Sequence, residues 1–131
     1  MIGFTLDHVH LRSPDPEATA QWFKDMLGAE VIRSTQEGKA RIDLKLGGAK
    51  IFVAAVAPGE GVNPPPQTPY QGLDHFAFFV TDLDQYAAGL KAKGAEFTQE
   101  LKVARPGIRT CFLRGPQGVS IELLERDPKI V

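Results

Sequence analysis

Leu6-Asp7-His8-Val9 returns in the same chain as Leu73-Asp74-His75-Phe76, 67 residues later (75 − 8). Gly28-Ala29-Glu30 returns as Gly94-Ala95-Glu96 at an offset of 66, and Gly48-Ala49-Lys50-Ile51-Phe52 as Gly118-Val119-Ser120-Ile121-Glu122 at an offset of 70. Three matches at nearly one offset describe two copies of one module. In that alignment His8 and His75 are equivalent, and Glu122 is the counterpart of Phe52. Two imidazoles and one carboxylate, on strands that a repeat can draw together, are the raw material of a divalent-metal site.

Each histidine opens a module with the same order of elements. Phe4–Arg12 alternates, with Val9 and Leu11 opposing His8, His10 and Arg12, which predicts a strand. Asp15 then suits the cap of a helix that begins at Pro16, where the missing N–H costs nothing. Ala18, Trp22 and Met26, with Phe23 and Leu27, form its expected apolar face, and Gly28 its left-handed stop. Strands follow at 29–35, 40–46 and 49–56, the last two joined by the hairpin signal Gly47-Gly48. The second copy predicts strands at 73–80, 95–100, 108–114 and 119–125. Its helix is capped in Thr81-Asp82-Leu83-Asp84, faces the core with Leu83, Tyr86, Ala87 and Leu90, and stops at Gly94. The expected architecture is therefore α+β: two tandem βαβββ modules forming a curved mixed sheet with a cleft. Residues 1–131 make one domain, composed of a module at 4–57, a linker at 58–72 with five prolines, and a module at 73–126.

Composition narrows the function without naming it. The 43% hydrophobic and 24% charged fractions are ordinary for a globular chain. A formal net charge of −1 supplies no attraction to nucleic acid or to an anionic membrane, and neither partner is expected. No apolar run is long enough to span a bilayer, and the first residues lack the basic, then apolar, pattern of a signal peptide. Cys111 is the single cysteine; it excludes an intramolecular disulfide and fits a reducing cytoplasm. Its alternation places it on the core side.

Face parity tests the metal site. Where Val9 and Leu11, Phe76 and Phe78, and Ile121 and Leu123 take the core, His8, His75 and Glu122 all lie on the face away from the helices. Two neutral imidazoles and a carboxylate suit one divalent first-row metal per site: iron, manganese, nickel, cobalt or zinc. The vacant positions are open to water or substrate.

At this point the chain resembles the vicinal oxygen chelate superfamily, which includes glyoxalase I, methylmalonyl-CoA epimerase, fosfomycin-resistance proteins, extradiol dioxygenases and bleomycin-binding proteins. The resemblance rests on Asp7-His8-Val9-His10-Leu11 with Pro14-Asp15, on Trp22-Phe23 with Leu27-Gly28, on Leu73-Asp74-His75-Phe76-Ala77-Phe78, and on Gly118-Val119-Ser120-Ile121-Glu122-Leu123. It covers roughly residues 4–126 and is specific for the superfamily, not for one activity. It implies that His8, His75 and Glu122 bind the metal, and that the protein is a homodimer with sites often shared between subunits. One position departs from the pattern. Where glyoxalase I carries a glutamate ligand and the epimerase a glutamine, this chain has Phe52, which cannot ligate. A water in that fourth place and a site built within one chain or across two both stay open.

The sequence therefore predicts a metal-dependent enzyme acting on a small substrate chelated through neighbouring oxygens, either lyase- or isomerase-like or a ring-cleaving dioxygenase. The alternative is a non-catalytic binding or resistance protein of the antibiotic-sequestering kind. Glu122 and Asp43 are the candidate catalytic carboxylates, Asp43 standing in for the base that Phe52 replaces. His10, Phe52, Arg12, Arg41, Thr110 and Phe112 share the site-side parity as candidate substrate contacts, with Lys45, Arg105 and Arg109 as further cations for an anionic ligand.

Overall fold

The computed structural model describes residues 3–131, and the chain divides into two compact units that meet in sequence at Pro64 and Pro65. The first unit contains β1 (Val9–Ser13), α1 (Pro16–Leu27), β2 (Glu30–Gln36), β3 (Lys39–Leu46) and β4 (Ala49–Ala55). The second contains β5 (Phe76–Phe79), α2 (Leu83–Ala92), β6 (Glu96–Arg105), β7 (Ile108–Arg114) and β8 (Ser120–Arg126), with a short 3-10 turn at Pro116–Gly118 before β8. Each unit builds its own four-stranded mixed sheet, ordered β1-β4-β3-β2 and β5-β8-β7-β6. In both, the first and last strands pair in parallel and the other pairs are antiparallel.

The repeat extends to the helix caps. The Asp15 carboxylate accepts the Ala18 N–H and that of Asp82 accepts the Gln85 N–H, again 67 residues apart (82 − 15) and with nearly the same backbone angles. Gly28 ends α1 at φ 72°; its N–H and that of Ala29 close onto the carbonyls of Lys24 and Phe23. The Gly47-Gly48 turn has positive φ at both residues, which joins β3 to β4 as the twisted hairpin the glycines predict.

Each core lies between one helix and one face of its own sheet. In the first unit Ala20 and Phe23 of α1 are buried with Ile42, Leu44, Ile51 and Val53 of the sheet; in the second, Leu83, Ala87 and Leu90 with Leu113, Ile121 and Leu123. Two helix faces are rotated from expectation. Ala18 is exposed and its place is taken by Thr19, whose hydroxyl donates to the buried Ser13 Oγ at 2.8 Å, so a polar residue enters the core with its hydrogen bond satisfied. Tyr86 is likewise exposed, and Leu83, Ala87 and Leu90 alone carry the α2 stripe.

Strand starts differ more. The expected strands at 4–12 and 73–80 begin only at Val9 and Phe76, where Ile51 and Ile121 first offer a parallel partner. His8 and His75 therefore stand one residue ahead of the strands. β6 runs to Arg105, well past the expected residue 100, and its register against β7 shifts three times. Among the described residues no helix is long and apolar enough to cross a membrane.

Candidate functional site

Strand register makes the two halves comparable residue by residue. On β4, Phe52 lies beside His10 of β1 and Asp43 of β3; on β8, Glu122 lies beside Ala77 of β5 and Phe112 of β7. Phe52 thus occupies the structural place of Glu122, and Asp43 that of Phe112. Each unit carries one carboxylate and one phenyl ring on its two central strands, in opposite order.

In the second unit the carboxylate sits near the histidine. Glu122 Oε1 lies 3.5 Å from His75 Nε2, too long for a good hydrogen bond. Two donors bound to one metal at about 2.1 Å stand roughly 3–3.4 Å apart, so the spacing fits donors that share a cation. The other ring nitrogen, Nδ1, donates to Asp74 Oδ2 at 2.7 Å. An ionised carboxylate only accepts, so this bond puts the proton on Nδ1 and leaves a lone pair at Nε2 of the neutral ring. Phe112 meets the His75 ring edge to face, with centroids 4.9 Å apart. β5 and β8 pair in parallel with Glu122 beside Ala77, so His75, two residues earlier on the same face, lies diagonally across from Glu122.

In the first unit the same dipeptide makes the same bond. His8 Nδ1 donates to Asp7 Oδ2, also at 2.7 Å, and that bond, helped by Lys50, holds the Asp7 carboxyl below its ordinary value of 3.8. The neighbour on β4 is now a ring. Phe52 stacks on the His8 imidazole with centroids 4.1 Å apart and planes 24° from parallel. From the β3 side the Arg41 guanidinium lies 4.5 Å from the centre of the Phe52 ring. Arg41 Nε donates to both oxygens of Asp43, at 2.9 and 3.2 Å, and Nη1 donates to Gln36 Oε1 at 3.0 Å. Asp43 thereby orients Arg41. A hollow of about 690 Å³ opens on this unit, bordered by His10, Arg41, Asp43, Phe52, Lys39 and Glu60.

The remaining predicted residues divide. Thr110, buried, accepts a hydrogen bond from Gln99 Nε2 at 3.1 Å, and Phe112 contacts His75. Arg12 is exposed beside Ala54. Arg109 faces the other way: it binds Asp84, at the start of α2, through both terminal guanidinium nitrogens and reaches Glu125 of β8. That cation is spent on holding a helix. Cys111 is fully buried as expected, and burial pushes its thiol up to about 11. Among the described residues, no group of three or more histidine, cysteine or carboxylate side chains stands placed to hold one metal.

Two contributions went unassigned in the sequence. Asp7 and Asp74 set the tautomer of both histidines; the signal was there, in an Asp-His pair repeated at the main offset. Gln99 was hidden. The register shift between Phe97 and Gln99 takes Phe97 opposite core-facing Leu113 and Gln99 opposite site-facing Phe112, which strict alternation forbids.

The family described as the Glyoxalase/Bleomycin resistance protein/Dioxygenase superfamily matches this chain over residues 5–123. A candidate lactoylglutathione lyase of Brassica oleracea var. gemmifera is 28% identical over 129 residues, covering 92% of this chain; the chain spans 44% of that relative's length. A glyoxalase family protein of Enterococcus faecalis superposes with a TM-score of 0.72 at 29% identity, covering 95% of this chain and all of the other. A genomically encoded fosfomycin resistance protein of Listeria monocytogenes superposes with a TM-score of 0.71 at 20% identity, covering 98% of each chain, a likeness of fold.

Proposed function

This chain belongs to the glyoxalase/bleomycin resistance protein/dioxygenase superfamily, and from that membership we propose that it is a divalent-metal-dependent enzyme. Its substrate is a small molecule bound through two neighbouring oxygens. The observation that carries this reading is His75, with Nδ1 engaged by Asp74 and Nε2 at 3.5 Å from Glu122. The matched Asp7–His8 bond of the other unit supports it.

In this reading His8, His75 and Glu122 are the residues that would hold the cation. When bound, the metal supplies Lewis acidity, drawing charge from a carbonyl or hydroxyl oxygen of the substrate. The chain's own residues do the rest. Asp7 and Asp74 fix the proton on each Nδ1, so neither imidazole needs to rotate or change tautomer before binding. Phe52 offers no donor, so the chain commits three side chains and leaves positions for a bidentate substrate and water. Asp43 is the carboxylate we assign to proton transfer, the Arg41 contact fixing where its oxygens stand. Arg41 and His10 of the first unit, and Thr110 and Phe112 of the second, are the proposed substrate contacts, with exposed Arg12 for an anionic ligand. Lyase- or isomerase-like proton transfer is the reading we favour, the Brassica relative bearing a lyase name; an iron-loaded site would favour ring-cleaving dioxygenation instead.

The hollow bordered by Arg41 and Phe52 favours a second reading, a binding protein that sequesters an aromatic small molecule without turnover. One experiment separates the two. The purified protein, loaded in turn with Fe(II), Mn(II), Ni(II), Co(II) and Zn(II), is assayed for metal content and against α-hydroxythioesters, an epoxide and a catechol. The enzyme reading expects near one metal per chain and turnover with at least one substrate. Failure to retain any of the five metals defeats it, and tight binding of an aromatic ligand to metal-free protein then selects the binder. The enzyme is proposed to work as a homodimer in the cytoplasm. Phe4, Leu6 and Leu73, all largely exposed, are apolar surface that a second copy would cover, and light scattering showing a monomer at micromolar concentration would refute the pairing.

A further inference from the structure

We infer that Phe52 is a positioning residue, an aromatic plate that fixes the His8 imidazole and takes the place of a ligand. The inference rests on the metal reading of His8 given above. Three observations within the first unit carry it. The strand register puts Phe52 where the second unit has Glu122, the carboxylate proposed to share a metal with His75. The ring does not turn away from that place. It lies on the His8 imidazole at 4.1 Å, closer than His75 approaches its own ring neighbour Phe112. The plate is itself braced, because Arg41 covers it at 4.5 Å and cannot wander while Asp43 and Gln36 hold three of its contacts.

The physical consequence follows from the torsions. The Asp7 bond fixes one ring atom of His8, and the ring can still pivot about that contact. A stacked face removes the pivot. With both restraints Nε2 has one direction, although His8 stands outside any strand and is solvent-exposed. Glu122 restrains His75 in the other unit as a partner on the cation; in the first unit packing does that work. The inverted order of carboxylate and ring, Asp43–Phe52 against Phe112–Glu122, thus makes one unit supply a single oriented donor and the other a pair.

The test has two arms on the full chain. The first uses metal-free protein, where the ring protons of His8 in the imidazole NMR spectrum report stacking directly. An upfield displacement in the wild type that is lost in F52L and kept in F52Y supports the inference. His8 protons at the positions of a freely exposed imidazole in the wild type overturn it, with no variant needed. The second arm titrates Co(II). F52L is expected to lose roughly tenfold in affinity, the low end of what a lost ligand-orienting neighbour costs, with F52Y within about threefold of wild type. R41M, which leaves Phe52 in place and removes its brace, should fall between them. Equal Co(II) affinity in F52L and wild type overturns the inference. If the wild type takes up no Co(II) at all, the metal reading fails, and the His8 spectrum alone decides whether Phe52 holds the ring.

Discussion

At the scale of single residues, the proposed metal binding turns on the carboxylate that holds the far side of each imidazole. A histidine without a carboxylate on Nδ1 samples two tautomers, and only one presents a lone pair at Nε2. Asp74→Asn keeps the shape and removes the charged acceptor. It should weaken divalent-metal binding by about 10- to 100-fold while the fold is unchanged, measured by Co(II) titration alongside circular dichroism. Unchanged affinity would mean that Asp74 is merely exposed surface. Cys111 predicts the opposite kind of behaviour. Buried, with its thiol pushed up to about 11, it holds almost no thiolate near neutrality. A thiol reagent at about pH 8 should label native protein far more slowly than protein in denaturant, and prompt labelling of the native state would contradict its placement. Its core-side position was legible from alternation along Ile108–Arg114; the reactivity needed the surrounding atoms.

Among elements, the helices show which local rules bind and which yield. Both caps are aspartates whose side chains accept an N–H three residues on; Asp15-Pro16 named the first outright, whereas Thr81-Asp82-Leu83-Asp84 marked the second start without singling out Asp82. Tertiary contact adds a second lock to α2. Glu125 of β8 accepts the Leu83 N–H at 2.9 Å, and Arg109 of β7 ties Glu125 to Asp84. The hydrogen bond from Arg109 holds the Asp84 carboxyl below its ordinary 3.8. A carboxyl depressed in the folded state stabilises above its ordinary value, and that contribution disappears as pH falls through the folded one. Asp84→Asn should therefore be less stable than wild type above about pH 5, with the gap closing in more acid solution, read from urea midpoints across the range. A gap that persists undiminished at acid pH would show that the ion pair is not its source. Since Asp84 is exposed, the effect is small. Arg109 looked like a cation for an anionic ligand because sequence gives its charge and not its neighbours. The β6 bulge is the same lesson for Gln99, since one inserted residue reverses every later face and leaves no mark in the alternation it breaks.

On the scale of the whole molecule, the proposed metal binding can be read through stability. A ligand that binds only folded protein raises its apparent stability by mass action, by about 2.7 kcal/mol at a concentration one hundred times its dissociation constant. Saturating Co(II) should raise the melting temperature of the wild type and fail to do so in His8→Ala and in His75→Ala alike, because each removes one of the proposed donors. A full shift retained in His8→Ala would confine the metal to the second unit. Sequence by itself determined the repeat, the βαβββ order, the Asp15 cap and the start of the second helix, the Gly47-Gly48 hairpin and the faces of the strands other than β6. Those features follow from backbone geometry and from side chains a few residues apart, which a linear pattern records. Only the tertiary structure decided where the strands begin, that Glu122 stands beside His75, that Phe52 stacks on His8 under Arg41, and that Arg109 serves a helix. Each of those depends on which atoms a folded sheet brings within a few ångströms across tens of residues, and no local pattern encodes that distance.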